Sequence, residues 1–179
     1  QPILSVGRQD PSETRTVDWD ALIDEYGPMV VRVSWRILGH GADVEDNVQE
    51  VFCEAFQLQR REAVRHWGGL LRRMATLGAL AKLRRRRHEA PLDDVAQPGR
   101  EALPEQALIA AELEARLRAA VGGLPEREGA VFSLRYFEKM ELPEIAATLG
   151  IKYQAAATAL CRARARLEAV FSETAVEDS

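Results

Sequence analysis

The chain has 179 residues, 46% of them hydrophobic and 29% charged, with a formal net charge of −4, a globular composition with material for one medium domain or two small ones. The two cysteines, Cys53 and Cys161, lie far apart, and neither has a histidine or second cysteine at ligand spacing, which argues against a disulfide framework and a metal site and fits a reducing cytoplasm. No stretch approaches the roughly 18 consecutive apolar residues that span a bilayer, so direct membrane insertion is not expected.

Residues 1–16 carry polar residues and no long apolar core of a signal peptide, and read as a flexible lead-in. Asp18 then caps a helix whose apolar positions Leu22, Tyr26, Val30, Val33 and Ile37 recur at spacings of three and four. Pro28 is expected to kink that helix near Gly27 or split it, and Gly39-His40-Gly41 ends it. A second helix starts near Asp43 and buries Val44, Val48, Val51, Phe52, Ala55 and Phe56. Its other face is acidic, with Asp43, Asp46, Glu50 and Glu54 three or four residues apart. Such like charges repel slightly; plain solvation and a cationic neighbour both account for them.

The charge is unevenly distributed. Arg60 to His88 holds ten Lys or Arg residues against one acid, Glu62, whereas Glu89 to Arg116 holds seven acids and two arginines. The basic stretch contains a third helix, Trp67 to Leu83, with Leu70, Leu71, Met74, Leu77, Leu80 and Leu83 as its apolar positions and Gly68, Gly69 and Gly78 weakening it. It runs into Arg84, Arg85, Arg86 and Arg87, which suit the negative end of a helix dipole and, with Arg72, Arg73 and Lys82, favour a polyanionic partner. Residues 17–88 thus read as one helical domain. Periodicity lapses over 89–104, where Pro91, Pro98, Gly99 and Pro104 stand among acids, as expected of an interdomain linker. Its Asp93, Asp94 and Glu101 are candidates for shielding the basic surface.

A second domain, 105–171, opens with a helix from Glu105 to Val121 carrying Ile109, Leu113, Leu117 and Val121 on one stripe, stopped by Gly122 and Gly123. A helix from near Pro125 buries Val131, Leu134 and Phe137. Pro143 suits the first turn of the next helix, which turns Ile145, Ala146 and Leu149 inward and breaks at Gly150; Ile151 plugs the turn. The last helix, Tyr153 to Ala169, keeps Ala156, Leu160, Ala163 and Leu167 in the core, and residues 172–179 form a short acidic tail. Two helices crossing closely over Ala146 and Ala147 with a glycine turn between them describe a helix-turn-helix. In that motif the second helix presents its N-terminal residues to the major groove, here Lys152, Tyr153, Gln154, Ala157 and Thr158, while Arg162, Arg164 and Arg166 stand further along at phosphate range.

From Trp19 to Phe171 the chain resembles the small two-domain sigma factors of the extracytoplasmic-function group in the sigma-70 family. Three segments carry the resemblance: DVEDNVQEVFCEAF at Asp43–Phe56, the Trp67–Arg87 helix with its arginine run, and Leu124–Leu167, headed by LPEREGAVFSLRYFEKMELPEIAATLGI. The resemblance implies an all-α fold of two small helical domains joined by a linker, and a transcription initiation factor in the cytoplasm with no cofactor. It further implies that Asp43, Asp46, Gln49, Glu50 and Glu54 dock on the clamp coiled coil of the largest subunit of core RNA polymerase. By the same likeness Trp67, Arg72, Arg73, Leu77, Lys82, Arg84, Arg85, Arg86 and Arg87 serve the minus-10 element of promoter DNA, and Lys152, Tyr153, Gln154, Thr158, Arg162 and Arg164 the minus-35 element. Sequestration by an anti-sigma factor is implied as well.

Departures from the family pattern remove polar groups. Leu77 stands for a usual Asn, Ala81 for Asp, Leu70 for Trp and Trp67 for Phe; Lys152, Ala157 and Ala159 stand where relatives carry Ser or Thr, Lys and Arg. Each missing bidentate base contact is worth roughly 1–3 kcal/mol of discrimination. A sigma-like regulator that binds polymerase or DNA without efficient initiation is one alternative, and an independent, dimeric helix-turn-helix repressor is another. Nothing indicates an enzyme: there is no phosphate-cradling glycine loop, and Ser34, Ser133 and the histidines His40, His66 and His88 lack the context of a nucleophile and its base.

Overall fold

The computed structural model describes residues 17–39, 41–61, 63–89 and 105–177. Among them are seven helices: α1 Trp19–Leu38, α2 Gly41–Gln59, α3 Trp67–Glu89, α4 Glu105–Gly122, α5 Glu126–Tyr136, α6 Leu142–Leu149 and α7 Tyr153–Glu177. The lead-in 1–16 and linker positions 90–104, with Asp93, Asp94 and Glu101, lie outside the described residues.

In α1 the Asp18 carboxylate accepts from Ala21 N at 3.1 Å, and the helix closes on Gly39 in the left-handed region. It runs unbroken through Pro28, so the split near Gly27 does not occur. A proline costs a helix interior about 3 kcal/mol. Here the cost is offset by the fully buried Val30, Val33 and Ile37 just beyond it, each worth roughly 1.5–3 kcal/mol.

α2 packs on α1 and α3 through Val44, Val51 and Ala55, while Val48 and Phe52 are half-buried. Phe56, expected in the core, is 45% exposed and instead lays its ring against the edge of Trp19, centroids 5.2 Å apart. The buried turn of α2 also holds Asn47, 0% exposed. Its Nδ2 donates to Ser34 Oγ at 2.8 Å and to Ala75 O at 3.0 Å, and Ser34 Oγ donates to Val30 O at 2.7 Å, tying α1, α2 and α3 at one level. A Cβ on Gly78 would strike Asn47 Oδ1, so this glycine, unfavourable in a helix, is required by the approach of α2.

α3 extends beyond the expected Leu83 to Glu89, with Arg86, Arg87 and His88 in its last turn, where cations complement the helix dipole. On the predicted stripe of α4 Val121 is buried and Leu117 half-buried, whereas Ile109 and Leu113, expected on the core stripe, are 61% and 56% exposed. Periodicity marks a continuous apolar stripe, and among the described residues only the C-terminal end of this one meets a neighbour. α5 buries Val131 and Leu134, with Phe137 half-buried just after it.

α6 starts with a reciprocal capping box between Glu141 and Glu144, has Pro143 in its first turn and ends on Gly150 at φ 66°. Ala156, Leu160, Ala163 and Leu167 of α7 are buried, and α7 continues to Glu177, through most of the segment expected as a tail.

The two halves are not held apart by their connection. Leu80 and Leu83 of α3 lie in one hydrophobic cluster with Val121, Leu124, Ala130 and Leu134. Gly129 brings α5 so close that a Cβ there would sit 3.6 Å from Leu80 Cδ1.

Candidate nucleic-acid interface

The acidic face of α2 is real but partly engaged. Asp46, Gln49 and Glu54 are exposed, and no ion pair to Asp46 or Glu54 occurs among the described residues. Glu50, with 64% of its side chain exposed, meets Lys82 Nζ at 2.8 Å, and Asp43 pairs with Arg86. Two of the four acids therefore find their cations on α3 of the same chain.

α3 is correspondingly less open than a solvated basic helix. The Lys82 side chain is 7% exposed beneath Glu50. Arg84 Nη1 stands 3.9 Å from Glu126 Oε2, and Arg72 Nη1 points at Met140 Sδ, 3.8 Å away, while Arg72 Nε is buried without a hydrogen-bond partner. Arg73 and Arg87 are exposed, each with its Nη1 bordering Gly150 or Gly123 of the second half; Arg85 is exposed. Trp67 is half-buried with its ring 5.5 Å from Trp19, and Leu77 is half-buried against the core. At position 77 a leucine therefore contributes apolar packing where an asparagine would need a polar partner.

The helix-turn-helix presents Lys152, Tyr153, Gln154, Thr158 and Arg162 exposed on the N-terminal half of α7. Gln154, Thr158 and Arg162 face Arg127 across a shallow cleft of about 730 Å³ between the start of α5 and α7. Arg164 is exposed but anchored: its Nε donates to Tyr136 Oη at 2.5 Å, and its guanidinium stands 5.5 Å from the Tyr136 ring centre. Arg166 Nε lies 2.9 Å from Glu128 Oε2, forming an ion pair in an orientation that makes no hydrogen bond. Ala159 is 4% exposed. It faces the core, so its lack of a polar group removes no base contact. Ala157 is half-buried, and Ala155 lines the cleft beside Gln154.

Several contacts between α1 and the second half have no signal in the sequence because they join positions about 80 to 100 residues apart. Arg36 Nη1 donates to Phe137 O at 2.7 Å and to Glu138 Oε1 at 2.9 Å, and Arg32 Nη2 lies 3.8 Å from Glu138 Oε2. Arg118 Nε donates to Arg36 O at 3.4 Å. Arg135 donates to Met140 O at 2.9 Å and pairs with Glu141 Oε1 at 2.7 Å; the hydrogen bond and charge of Glu141 hold its guanidinium further above its usual range. Among the described residues no cluster of His, Cys, Asp and Glu is arranged to hold a metal ion, and no helix is long and apolar enough to cross a membrane.

Comparison with known proteins agrees with this layout. The family profile for sigma-70 region 2 matches residues 22–89, and that for sigma-70 region 4 matches residues 114–167. The chain is 33% identical over 153 residues to the ECF RNA polymerase sigma factor SigE of Mycolicibacterium smegmatis, covering 83% of this chain and 60% of that protein. It is 27% identical over 160 residues to the ECF RNA polymerase sigma factor SigW of Bacillus subtilis, covering 82% of this chain and 84% of that one. Among solved structures, CnrH in complex with the cytosolic domain of CnrY shares the fold, with a TM-score of 0.54 and 22% identity over 87% of this chain and 88% of that one.

Proposed function

The chain belongs to the extracytoplasmic-function group of the sigma-70 family, and on that premise we propose that it is a transcription initiation factor that docks on core RNA polymerase and directs it to promoters. The observation that carries the reading is the pairing, in one chain, of an acidic helix face beside a basic helix within region 2 and an exposed helix-turn-helix within region 4.

The division of labour follows from the surfaces. Asp46, Gln49 and Glu54 are open to a cationic partner, which suits the clamp coiled coil of the polymerase's largest subunit; Glu50 and Asp43 join them when their internal pairs exchange. α3 serves the minus-10 element through Arg72, Arg73, Lys82 and Arg84 to Arg87, and α7 the minus-35 element through Lys152, Tyr153, Gln154, Thr158 and Arg162. Arg164, fixed on Tyr136, contributes a positioned guanidinium to the same face.

No bond in DNA is made or broken by these groups. Melting costs on the order of 1 kcal/mol or more per base-pair step, and phosphate and pocket contacts on the opened strand offset it, so binding energy shifts the closed-to-open equilibrium. Nucleotide addition belongs to the polymerase, and the role places the chain in the cytoplasm. CnrH was solved bound to the cytosolic domain of CnrY, which supports a protein partner that restrains the factor before use.

Transcription by core polymerase on fragmented genomic DNA of the host, with and without the chain, tests the proposal. Promoter-specific transcripts that require the chain support it. Stable binding to core without any such transcript would favour a sigma-like regulator.

A further inference from the structure

The docking role of α2 gives weight to what its acids already hold. Asp46 and Glu54 are exposed and serve no ion pair among the described residues, but Glu50 Oε1 takes Lys82 Nζ at 2.8 Å and Asp43 takes Arg86. Lys82 and Arg86 lie one turn apart on α3, and Asp43 and Glu50 two turns apart on α2, so the pairs form two rungs along one seam between the helices. Together they cancel two of the four negative charges that α2 offers a cationic partner.

The rungs differ in how they yield. Asp43 and Arg86 have 22% and 37% of their side chains exposed, so water screens their attraction and can replace either partner. In the other rung Glu50 is 64% exposed while Lys82 is 7% exposed. Glu50 is thus free to turn outward, and Lys82 is not free to follow. Once Glu50 leaves, the Lys82 ammonium is nearly buried with no other acceptor among the described residues, a state that costs more than the exposed pair does.

We infer that Lys82 and Arg86 are internal competitors of RNA polymerase: they occupy Glu50 and Asp43 in the free chain, a cation of the clamp coiled coil has to displace them, and they thereby lower the affinity of the chain for core. This rests on the polymerase docking proposed for α2. It also gives Lys82 a role on the polymerase side of the molecule, because an ammonium covered by Glu50 does not meet a DNA phosphate where it lies. Competition has a definite sign. Cations that only held the acids in place for polymerase would weaken docking when removed, whereas competitors strengthen it.

Titration of sigma-free core polymerase with the full chain at fixed salt reads that sign. Lys82→Met keeps an unbranched stem in the seam and frees Glu50, and Arg86→Gln frees Asp43 from a partly exposed site. Each is expected to tighten core binding about two- to fivefold, the range that a partly exposed ion pair supports, and the two together more than either. Adding Lys82→Met to Glu50→Gln, where the contested carboxylate is gone, should bring no gain. Arg116→Gln removes the same charge from an exposed position on α4 that pairs with no acid of α2 among the described residues. It should leave core affinity unchanged, which separates competition from a shift in overall charge.

Core affinity of Lys82→Met and Arg86→Gln equal to or below that of the wild type would overturn the inference; if Lys82→Met proves unstable by its melting temperature, Arg86→Gln decides alone. No binding of the wild type where a known sigma factor binds would instead remove the docking role of α2, and the inference with it.

Discussion

Replacing Gly78 by alanine sets two physical effects of opposite sign against each other. Helix propensity alone favours alanine in the middle of α3 by about 1 kcal/mol. Against this, the new methyl would strike Asn47 Oδ1, and Asn47 is not free to yield. It is fully buried, and its Nδ2 is fixed by Ser34 Oγ at 2.8 Å and Ala75 O at 3.0 Å. Displacing the amide loses two buried hydrogen bonds, about 1 kcal/mol each, and overpacking in a rigid core adds about 1–3 kcal/mol. The net expectation is destabilisation by about 2–4 kcal/mol after the propensity gain is subtracted. At about 2–4 °C per kcal/mol for a chain of this size, the melting temperature should fall by several degrees. Urea unfolding of the wild type, Gly78→Ala, Asn47→Ala and the double variant completes the test. In the Asn47→Ala background the clash is absent, so Gly78→Ala should become neutral or stabilising, with a coupling of at least about 1 kcal/mol across the cycle. Stabilisation by Gly78→Ala in the wild-type background would refute the steric account of this glycine.

Two further changes probe the helix-turn-helix. Gly150→Ala places a side chain at φ 66° and should cost about 1–2 kcal/mol in urea unfolding while leaving the exposed face of α7 unchanged; no loss would mean the turn relaxes out of the left-handed region. Arg162→Ala should weaken binding to all DNA sequences alike and reduce the slope of log affinity against log salt by about 1. A sequence-selective loss at constant slope would reassign Arg162 from phosphate to base contact.

Much of the architecture is written locally in the chain. Asp18, Gly39 and Gly150 act within their own turns, and Pro143 with the Glu141–Glu144 box starts α6; such signals depend on neighbours a few residues away, so they can be read without the fold. The buried stripe of α7 follows for the same reason. What the pattern did not contain is whatever depends on a distant partner. Ile109 and Leu113 obey helical spacing yet face outward because no described residue covers that end of α4, and Pro28 lies within a helix because burial of its neighbours outweighs its cost. Nothing local to Asn47 marks it as buried; Ser34 and Ala75, on other helices, bond its amide.

The candidate surfaces divide along the same line. Residue types and spacing identified Asp46, Glu54, Lys152 and Arg162 as exposed charges, and they are exposed. They could not reveal that Glu50 and Asp43 already hold Lys82 and Arg86, or that Arg36 and Glu138 clasp the two halves. Those pairings link charges from separate elements, and a charge alone does not name its partner.

The central claim is that the open part of the α2 acidic face docks on polymerase, and its most direct test is the affinity of the purified chain for sigma-free core polymerase, titrated at fixed salt. The informative variant is Asp46→Ala with Glu54→Ala, since these two acids are exposed and serve no ion pair among the described residues, so the fold should be untouched. Tight binding by the wild type, weakened about tenfold or more in the variant, equivalent to about 1.4 kcal/mol, is the expected result. No binding where a known sigma factor binds, or equal affinity of wild type and variant, would contradict the docking surface assigned to α2.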